Sequence, residues 1–156
     1  MLPLIFAMGD DARKSEATRV CVGLEAILRV EVPKIKVGAE PQFVLSLRNT
    51  GKESLRILDV RGGRRSDLQD TYFEVLVQRQ GQRVSLPRPI CDPGPISEED
   101  FFQLLPGVKE DIRLSEPCLD LTALKPGAYE AHVSLWPDAE LKTRCDSSEA
   151  RFEVVK

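Results

Sequence analysis

The sequence predicts an all-β domain, a sandwich of seven to eight short and mostly antiparallel strands. Hydrophobic residues alternate with polar ones in several short runs, which is the period of a strand with one buried face. Turn signals built from Gly, Pro and Asn separate these runs at roughly even spacing, and no run has the period of an amphipathic helix. The 156 residues suit one core, since domains commonly run to about 100 to 150 residues. We assign residues 20–156 to the sandwich and residues 1–19 to an N-terminal tail.

The first half of the chain supplies five predicted strands. Residues 20–32 carry an apolar side chain at every second position: Val20, Val22, Leu24, Ala26, Leu28, Val30 and Val32. Two more strands, at 43–47 and 54–60, flank an Asn-Thr-Gly turn that reverses the chain. A strand at 72–77 and a short return strand at 82–86 complete a hairpin.

The second half continues the same pattern. Apolar stretches at 101–105 and 108–114 flank a Pro-Gly turn, and a second Pro-Gly turn precedes a strand that starts at Tyr129. Side chains of that strand alternate between an inner face and an outer face, with His132 and Trp136 on the outer one. A last strand lies at 152–155, and only 119–124 hints at a helical turn.

Two segments between the strands are polar and irregular. Residues 61–70 form a predicted loop with Arg61, Arg64 and Arg65, which is either ordinary solvated surface, the commoner case, or a mobile docking loop for an acidic partner. Residues 87–100 contain four prolines and one glycine, and the missing amide donors exclude regular strand pairing there. We call this longest irregular segment the proline-rich loop.

The residues that lead into the strand at Tyr129 resemble the tyrosine corner of immunoglobulin-like folds. Residues 124–129 read LKPGAY, and in those folds a Tyr near the start of strand F bonds back to the backbone. The position two residues later is Cys in antibody domains and is Ala131 here. The resemblance implies an immunoglobulin-like β-sandwich that lacks the antibody-type disulfide between its sheets.

A longer resemblance runs from residue 28 to residue 156. Four segments carry it: LRVEVPKIKVGAEPQFVLSLRNTG, YFEVLVQRQGQRV, LLPGVKEDIRLSE and LTALKPGAYEAHVSL. Their order resembles the immunoglobulin-like domain ahead of the catalytic unit in deuterolysin-type peptidases, and it is similar to small bacterial immunoglobulin-like proteinase inhibitors. The resemblance implies a fold more than an activity, since one fold hosts many functions.

The sequence lacks the residues that catalysis would need. A deuterolysin-type catalytic unit requires an HExxH helix whose two histidines bind zinc, and His132 is the only histidine in the chain. A Ser-His-Asp arrangement could formally combine His132 with Ser134, but a single surface histidine on a strand is far commoner. No glycine-rich phosphate-binding motif occurs. We therefore expect no enzymatic activity and no cofactor.

Charge and hydropathy exclude several classes of partner. The 25 acidic residues outnumber the 22 basic ones, whereas nucleic-acid-binding proteins usually carry a basic excess. No run approaches the roughly 18 apolar residues that a membrane-spanning helix requires. Asp92, Glu98, Glu99 and Asp100 could offer oxygen ligands to Ca²⁺, but they lack the EF-hand spacing, and a solvated acidic loop is the commoner outcome. We expect no metal site and another protein as the partner, and the sequence leaves the oligomeric state open.

Four cysteines, Cys21, Cys91, Cys118 and Cys145, allow three disulfide pairings. No two of them form a CxxC pair, which disfavours zinc ribbons and redox motifs. In an immunoglobulin topology the start of the first strand and the turn before the last strand lie at the same end of the sandwich. That topology favours Cys21 with Cys145 and leaves Cys91 to pair with Cys118. Disulfides would indicate a secreted, periplasmic or cell-envelope protein, whereas four free thiols would indicate the cytoplasm.

The first eight residues, MLPLIFAM, are apolar and allow two interpretations. They resemble the end of a signal-peptide apolar region, although no Lys or Arg precedes them. They could equally form an apolar tail.

Three functions remain open for such a sandwich. We expect first a non-catalytic interaction or accessory domain of an exported protein, which binds another protein through its loops or a sheet edge. The second is a proteinase inhibitor that presents residues 88–95 around Cys91 to a protease. The third is a structural spacer or adhesion domain. The residues that we expect to contact a partner are Arg88, Pro89, Ile90, Asp92 and Trp136.

Overall fold

The computed structural model describes residues 20–86, 92–114, 119–140 and 144–156. Within these ranges the chain forms eleven strands, one short α-helix and three 3-10 turns. The strands are β1 Leu24–Val30, β2 Lys34–Lys36, β3 Phe43–Asn49, β4 Leu55–Leu58, β5 Phe73–Arg79, β6 Gln82–Arg83, β7 Phe101–Leu104, β8 Lys109–Leu114, β9 Gly127–Leu135, β10 Cys145–Asp146 and β11 Ala150–Val155. The helix α1 is Ser66–Tyr72, and the 3-10 turns are Arg61–Gly63, Glu98–Asp100 and Leu121–Ala123.

The strands form two main sheets in immunoglobulin-like order. The first sheet has the order β1-β3-β8, and the second has the order β2-β11-β9-β5-β6, with β10 also paired to β9. A small third sheet consists of β4 and β7. Neighbouring strands run antiparallel except β2 and β11, which run parallel. The predicted all-β, immunoglobulin-like sandwich of mostly antiparallel strands is confirmed. The described residues contain eleven strands rather than the predicted seven to eight, because short pairings such as β2, β6 and β10 add to the count.

The core lies between the two main sheets. The first sheet contributes Phe43, Leu45 and Leu47 of β3, each at most 1% exposed. The second sheet opposes them with buried side chains of three strands: Val75, Val77, Ala131, Val133, Phe152 and Val154. This continuous apolar layer is the main source of the sandwich's stability.

Tyr129 joins the core to the turn that precedes β9. Its ring stacks on Phe152 with 5.5 Å between the ring centroids. Its hydroxyl donates a hydrogen bond to the Lys125 carbonyl at 2.5 Å, which is the contact of a tyrosine corner. Ala131, at the antibody cysteine position, is buried in the core.

The first strand is shorter than predicted. Gly23 adopts a φ of +74° and turns the chain, so β1 begins only at Leu24. Val20, Val22 and Val32, which we expected on the buried face, are 85%, 98% and 52% exposed. The apolar alternation therefore extends beyond the strand at both ends.

The segment 61–70, predicted as a loop, contains the start of a helix. Leu68 of α1 is fully buried in the hydrophobic core, and Gln69 is buried beside it. The helix has seven residues and buries one aliphatic side chain. A helix this short shows no repeated apolar spacing, so the sequence pattern could not predict it.

Candidate interaction groove

A disulfide joins Cys21 to Cys145 at one end of the sandwich, as the immunoglobulin topology predicts. Cys145 is the buried first residue of β10, while Cys21 precedes β1. The Thr50 N–H donates to the Gly23 carbonyl at 2.9 Å, which adds a backbone contact to β3's end. Residues 20–23 directly precede β1 of the first sheet, and Cys145 belongs to the second sheet. The disulfide therefore links the two sheets covalently at this end.

A groove of about 580 Å³ opens beside this disulfide. It lies between residues 20–24, β4 and the segment that follows β9, and its volume is typical of ligand-binding clefts. Its apolar lining consists of Val20, Val22, Leu24, Leu55, Ile57 and Pro137. Charged side chains also line it: Arg56, Asp138, Glu140 and Arg144. We call this site the disulfide groove.

Apolar side chains are exposed around the disulfide groove. Val20 and Val22 form part of its wall and are 85% and 98% exposed. Leu105 and Val108, in the turn between β7 and β8, are exposed at the same end, and the Asn49 N–H at the end of β3 donates to the Val108 carbonyl. Clustered exposed apolar residues mark contact surfaces, whereas scattered ones do not.

The strand β4 turns an open backbone edge toward the groove. One side of β4 pairs with β7. The Leu58 N–H points the other way and donates to the Pro137 carbonyl at 2.8 Å. Backbone groups two residues apart in a strand point to the same side, so the N–H and C=O of Arg56 also face away from β7. Among the described residues no backbone group pairs with them, and such an edge can accept an added extended segment.

The side chain of Arg56 leaves that edge accessible. Its guanidinium lies 3.5 Å from the centre of the Phe101 ring and 2.7 Å from Glu98. The positive charge of Arg56 is thus paired with the carboxylate of Glu98, which lies just before β7. An apolar segment could approach the Arg56 backbone without desolvating an isolated cation.

The outer edges of the first sheet are partly occupied by contacts from other parts of the chain. At β1, the Ser148 N–H donates to the Ala26 carbonyl at 3.0 Å, and the Ser148 hydroxyl accepts from the Leu28 N–H. At β8, the Gln69 side-chain amide donates to the Arg113 carbonyl at 3.2 Å. Such contacts protect sheet edges from further pairing. The edge of β4 is therefore better suited to a partner than the edges of β1 or β8.

The predicted contact residues of the proline-rich loop are only partly described. Asp92 is exposed. The other predicted residues of this region, and the predicted second disulfide, lie outside the described residues: Arg88, Pro89, Ile90, Cys91 and Cys118.

The described part of the proline-rich loop is anchored to α1. The Gly94 N–H donates to the Asp67 carboxylate at 2.7 Å, and the Arg65 guanidinium donates to the Pro95 carbonyl at 3.0 Å. Arg65 also pairs with both Asp67 and Asp100 at 2.9 Å. The hydrogen bond from Arg65, supported by the Gly94 N–H, holds the pKa of Asp67 well below its usual range. These contacts fix the backbone of an otherwise irregular segment.

Trp136 lies between this anchored region and the disulfide groove. It is half-buried, and its backbone N–H donates to the Tyr72 carbonyl at 2.9 Å. The Arg144 guanidinium lies 5.8 Å from the centre of its ring. Part of the indole remains available for contact beside the groove residue Pro137.

The other arginines of segment 61–70 pair with acidic residues of the chain. Arg61 and Arg64 contact the Asp59 carboxylate at 2.9 and 3.2 Å. The hydrogen bonds from Arg61 lower the pKa of Asp59, although its burial opposes the shift. Arg61 also lies 3.9 Å from the centre of the Phe102 ring. The guanidinium groups of Arg61 and Arg64 are thus paired with a carboxylate of the same chain.

His132 is buried, whereas we expected it on the surface. It is 9% exposed, and its Nε2 lies 4.0 Å from the Asp146 carboxylate. The Ser134 hydroxyl accepts from the Arg144 guanidinium at 2.6 Å and is 1% exposed. Asp146 lies close to His132 and is paired with Ser134 in the sheet, but the Ser134 hydroxyl is bound to Arg144 and shielded from solvent.

The acidic residues before β7 serve as structural partners. Ser97 and Asp100 form a capping box around the 3-10 turn Glu98–Asp100. Across residues 20–86, 92–114, 119–140 and 144–156, no three His, Cys, Asp or Glu side chains come together as a metal site would require. The same ranges contain no helix long and apolar enough to cross a membrane.

No family model and no curated protein matches the chain. Among solved structures, it is similar to the alkylpurine DNA glycosylase AlkC of Pseudomonas fluorescens, at 17% identity and a TM-score of 0.44, over 86% of this chain and 31% of that one. It is also similar to the sporulation control protein Spo0M of Bacillus subtilis, at 13% identity and a TM-score of 0.45, over 86% and 50% of the two chains. A CARDB domain from Pyrococcus furiosus is 10% identical, with a TM-score of 0.37, over 85% and 94%.

The chain thus spans about a third of the glycosylase and half of the sporulation protein. These likenesses carry no argument about function. The resemblance to the deuterolysin-associated domain stays a prediction.

Proposed function

We propose that this protein is a non-catalytic interaction module of an exported protein, and that it binds an extended segment of a partner protein in the disulfide groove. The observation that carries the proposal is the open β4 edge at Arg56, next to the exposed Val20 and Val22. Main-chain hydrogen bonds to a strand edge supply affinity, and neighbouring apolar pockets supply specificity.

The surroundings of the only histidine support a role without catalysis. The Ser134 hydroxyl already accepts a hydrogen bond from Arg144, and Ser134 and His132 are only 1% and 9% exposed. A nucleophile must reach both its base and its substrate. The accessible feature at this end of the sandwich is the groove.

The disulfide supports a location outside the cytoplasm. Disulfides persist in oxidising compartments and are rare where glutathione and thioredoxin keep thiols reduced. The Cys21–Cys145 bond is consistent with a secreted, periplasmic or cell-envelope protein. Export also suits a module that meets its partner outside the cell.

A peptide selection on the oxidised protein tests the proposal. Peptides selected from a displayed random library should bind the disulfide groove, and Val22→Asp should weaken their binding roughly tenfold to a hundredfold. That range corresponds to about 1.5 to 3 kcal/mol for one lost apolar contact of this size. Isothermal titration calorimetry would measure the dissociation constants.

Val32→Asp is the matched control. Val32 is also an exposed valine near β1, but it lies beyond the opposite end of that strand. Its replacement should leave peptide affinity unchanged. Equal affinities of the Val22→Asp variant and the unmodified protein for every selected peptide would reject the groove as the binding site.

The second candidate function is proteinase inhibition through residues 88–95. The anchoring of Gly94 and Pro95 by Asp67 and Arg65 favours it, because a preorganised loop costs less to order in a protease cleft. A panel of metallo, serine and cysteine proteases tests it. If one enzyme is inhibited, Asp67→Asn should weaken inhibition; absence of inhibition at micromolar concentration would exclude this function. The spacer or adhesion role stays a prediction.

A further inference from the structure

We propose that the disulfide groove recognises the free amino terminus of a partner protein, which lies antiparallel to β4 with its first residue beside Pro137. This inference rests on the proposed function, because it names the kind of segment that the same groove binds. Three features of the groove support an amino terminus: the position of Pro137, the direction of β4 and the acidic side chains at the Pro137 end.

The first feature is that Pro137 closes one end of the β4 edge. The Leu58 N–H donates to the Pro137 carbonyl at 2.8 Å, so Pro137 occupies the place of a neighbouring strand at that position. The lining of the groove includes residues 54–57 but not Leu58. A bound strand is therefore stopped at Pro137. An internal segment would have to bend sharply out of the groove there, whereas a chain terminus can simply end.

The second feature is the direction of β4. The N–H and C=O of Arg56 both face away from β7, so one residue of an antiparallel strand can exchange two hydrogen bonds with Arg56. Antiparallel pairing is slightly more stable per residue than parallel pairing. Because β4 runs toward Pro137, an antiparallel partner starts at Pro137 and runs away from it. The end of the partner that meets Pro137 is therefore its amino terminus.

The third feature is a pair of carboxylates on the turn after Pro137. Asp138 and Glu140 both line the groove, and the Asp138 Oδ1 accepts from the Glu140 N–H at 3.0 Å. Within this turn the Ala139 N–H donates to the Trp136 carbonyl, and Ala139 adopts a φ of +64°. That conformation is uncommon for a residue with a side chain, and such outliers concentrate at functional sites. The turn thus places two acidic groups where the partner's α-amino group would lie.

The arginines of the groove do not offset these acids, because each has an acidic partner of its own. The guanidinium of Arg56 lies 2.7 Å from Glu98, and that of Arg144 lies 3.7 Å from the buried Asp146. With these partners counted, the described residues at the groove carry more acidic than basic groups. This balance favours a protonated α-amino group and disfavours a terminal carboxylate.

Matched peptides test the inference on the full-length oxidised protein. Two displayed libraries are selected in parallel, one with random residues at a free amino terminus and one with the same residues behind a fixed Gly-Ser leader. Each selected peptide is then synthesised with a free and with an acetylated α-amino group, and calorimetry measures both dissociation constants. Acetylation should weaken binding about tenfold, because it removes a charged hydrogen bond from a partly exposed site.

The double variant Asp138→Asn/Glu140→Gln should abolish the effect of acetylation. An asparagine can still accept the N–H of residue 140 through its Oδ1, so the turn is kept while both charges are lost. The variant should bind the free peptide about tenfold more weakly and the acetylated peptide unchanged. Asp92→Asn/Glu99→Gln is the matched control, because both carboxylates are exposed and neither lines the groove. It should retain the difference between free and acetylated peptides.

Each outcome separates this inference from the proposed function. If free and acetylated peptides bind equally well and Val22→Asp weakens both, the function stands and recognition of the amino terminus is overturned. An acetylation effect that persists in the Asp138→Asn/Glu140→Gln variant would also overturn it. If neither library yields a binder, the proposed function fails and the inference fails with it.

Discussion

Two irregular segments of the chain are held in different ways. Residues 20–23 are tied to distant parts of the chain by the Cys21–Cys145 disulfide and by the hydrogen bond from the Thr50 N–H to the Gly23 carbonyl. Residues 94–97 are tied by hydrogen bonds to Asp67 and Arg65 and to Asp100. A covalent bond is indifferent to pH and salt but sensitive to reductant, whereas a charged network has the opposite sensitivities.

Because one segment is held by a disulfide and the other by charged hydrogen bonds, the two candidate sites should depend on different solution conditions. The disulfide groove should respond to reduction, because Cys21 and Cys145 line it. The proline-rich loop should respond to protonation of Asp67. We therefore expect a reductant to impair the disulfide groove and acid to impair the proline-rich loop.

The largest effect should come from removing the disulfide. Cys21→Ser/Cys145→Ser should lower the free energy of unfolding by about 3 to 5 kcal/mol, since the bond closes a very long loop in the unfolded chain. Urea denaturation followed by circular dichroism would measure it. Protection of the Gly94 amide relative to global unfolding should stay the same. A midpoint equal to that of the unmodified protein would show that the disulfide contributes nothing to stability.

A smaller effect should follow Asp67→Asn. The change weakens the bonds from Arg65 and Gly94, and we expect a loss of about 1 to 2 kcal/mol, because charged hydrogen bonds are strong but Asp67 is partly exposed. The Gly94 amide should exchange faster, while peptide binding in the disulfide groove should not change. Asp92→Asn is the control, because Asp92 is an exposed carboxylate of the same loop. Equal Gly94 exchange in both variants would contradict the anchoring role of Asp67.

The smallest effect should appear on lowering the pH. The pKa of Asp67 in the folded protein lies below its ordinary value of 3.8, chiefly because of Arg65. The folded state thus binds fewer protons than the unfolded state in acid, so this stabilisation is complete above pH 4 or so and declines as the pH falls through the folded pKa. Protection of Gly94 should decline below about pH 4 in the unmodified protein. In the Asp67→Asn protein this decline should be smaller, because Asp100, which also pairs with Arg65 and whose pKa is lowered chiefly by the Ser97 N–H, still titrates. An undiminished decline would assign the effect to other carboxylates.

The sandwich could be predicted because its signals are local and repeated. Alternation in β3, β5, β8 and β9 places apolar residues on one face, and burial of that face dominates the fold. The turn residues then limit the order of strands. The bond from Tyr129 to Lys125 also follows from a short motif.

The groove could not be predicted because it depends on contacts between distant segments. The alternation at Val20 and Val22 predicted a buried strand, but Gly23 turns the chain before β1. Gly23 was the available signal, and a turn there would have left both valines outside the sheet. The segment that borders the groove opposite β4 is held there by the hydrogen bond from Leu58 to Pro137, and no local pattern encodes that contact.

The disulfide also determines how the folded chain would carry a mechanical load. A pull applied between the segment before Val20 and the C-terminus enters at Cys21 and passes directly through the covalent bond to Cys145. The chain from β1 to β9 lies within the loop that this bond closes, so it bears little tension. Force would peel or shear only β10 and β11 from their neighbours. Under oxidising conditions the domain would thus lengthen by a short C-terminal stretch and keep most of its fold.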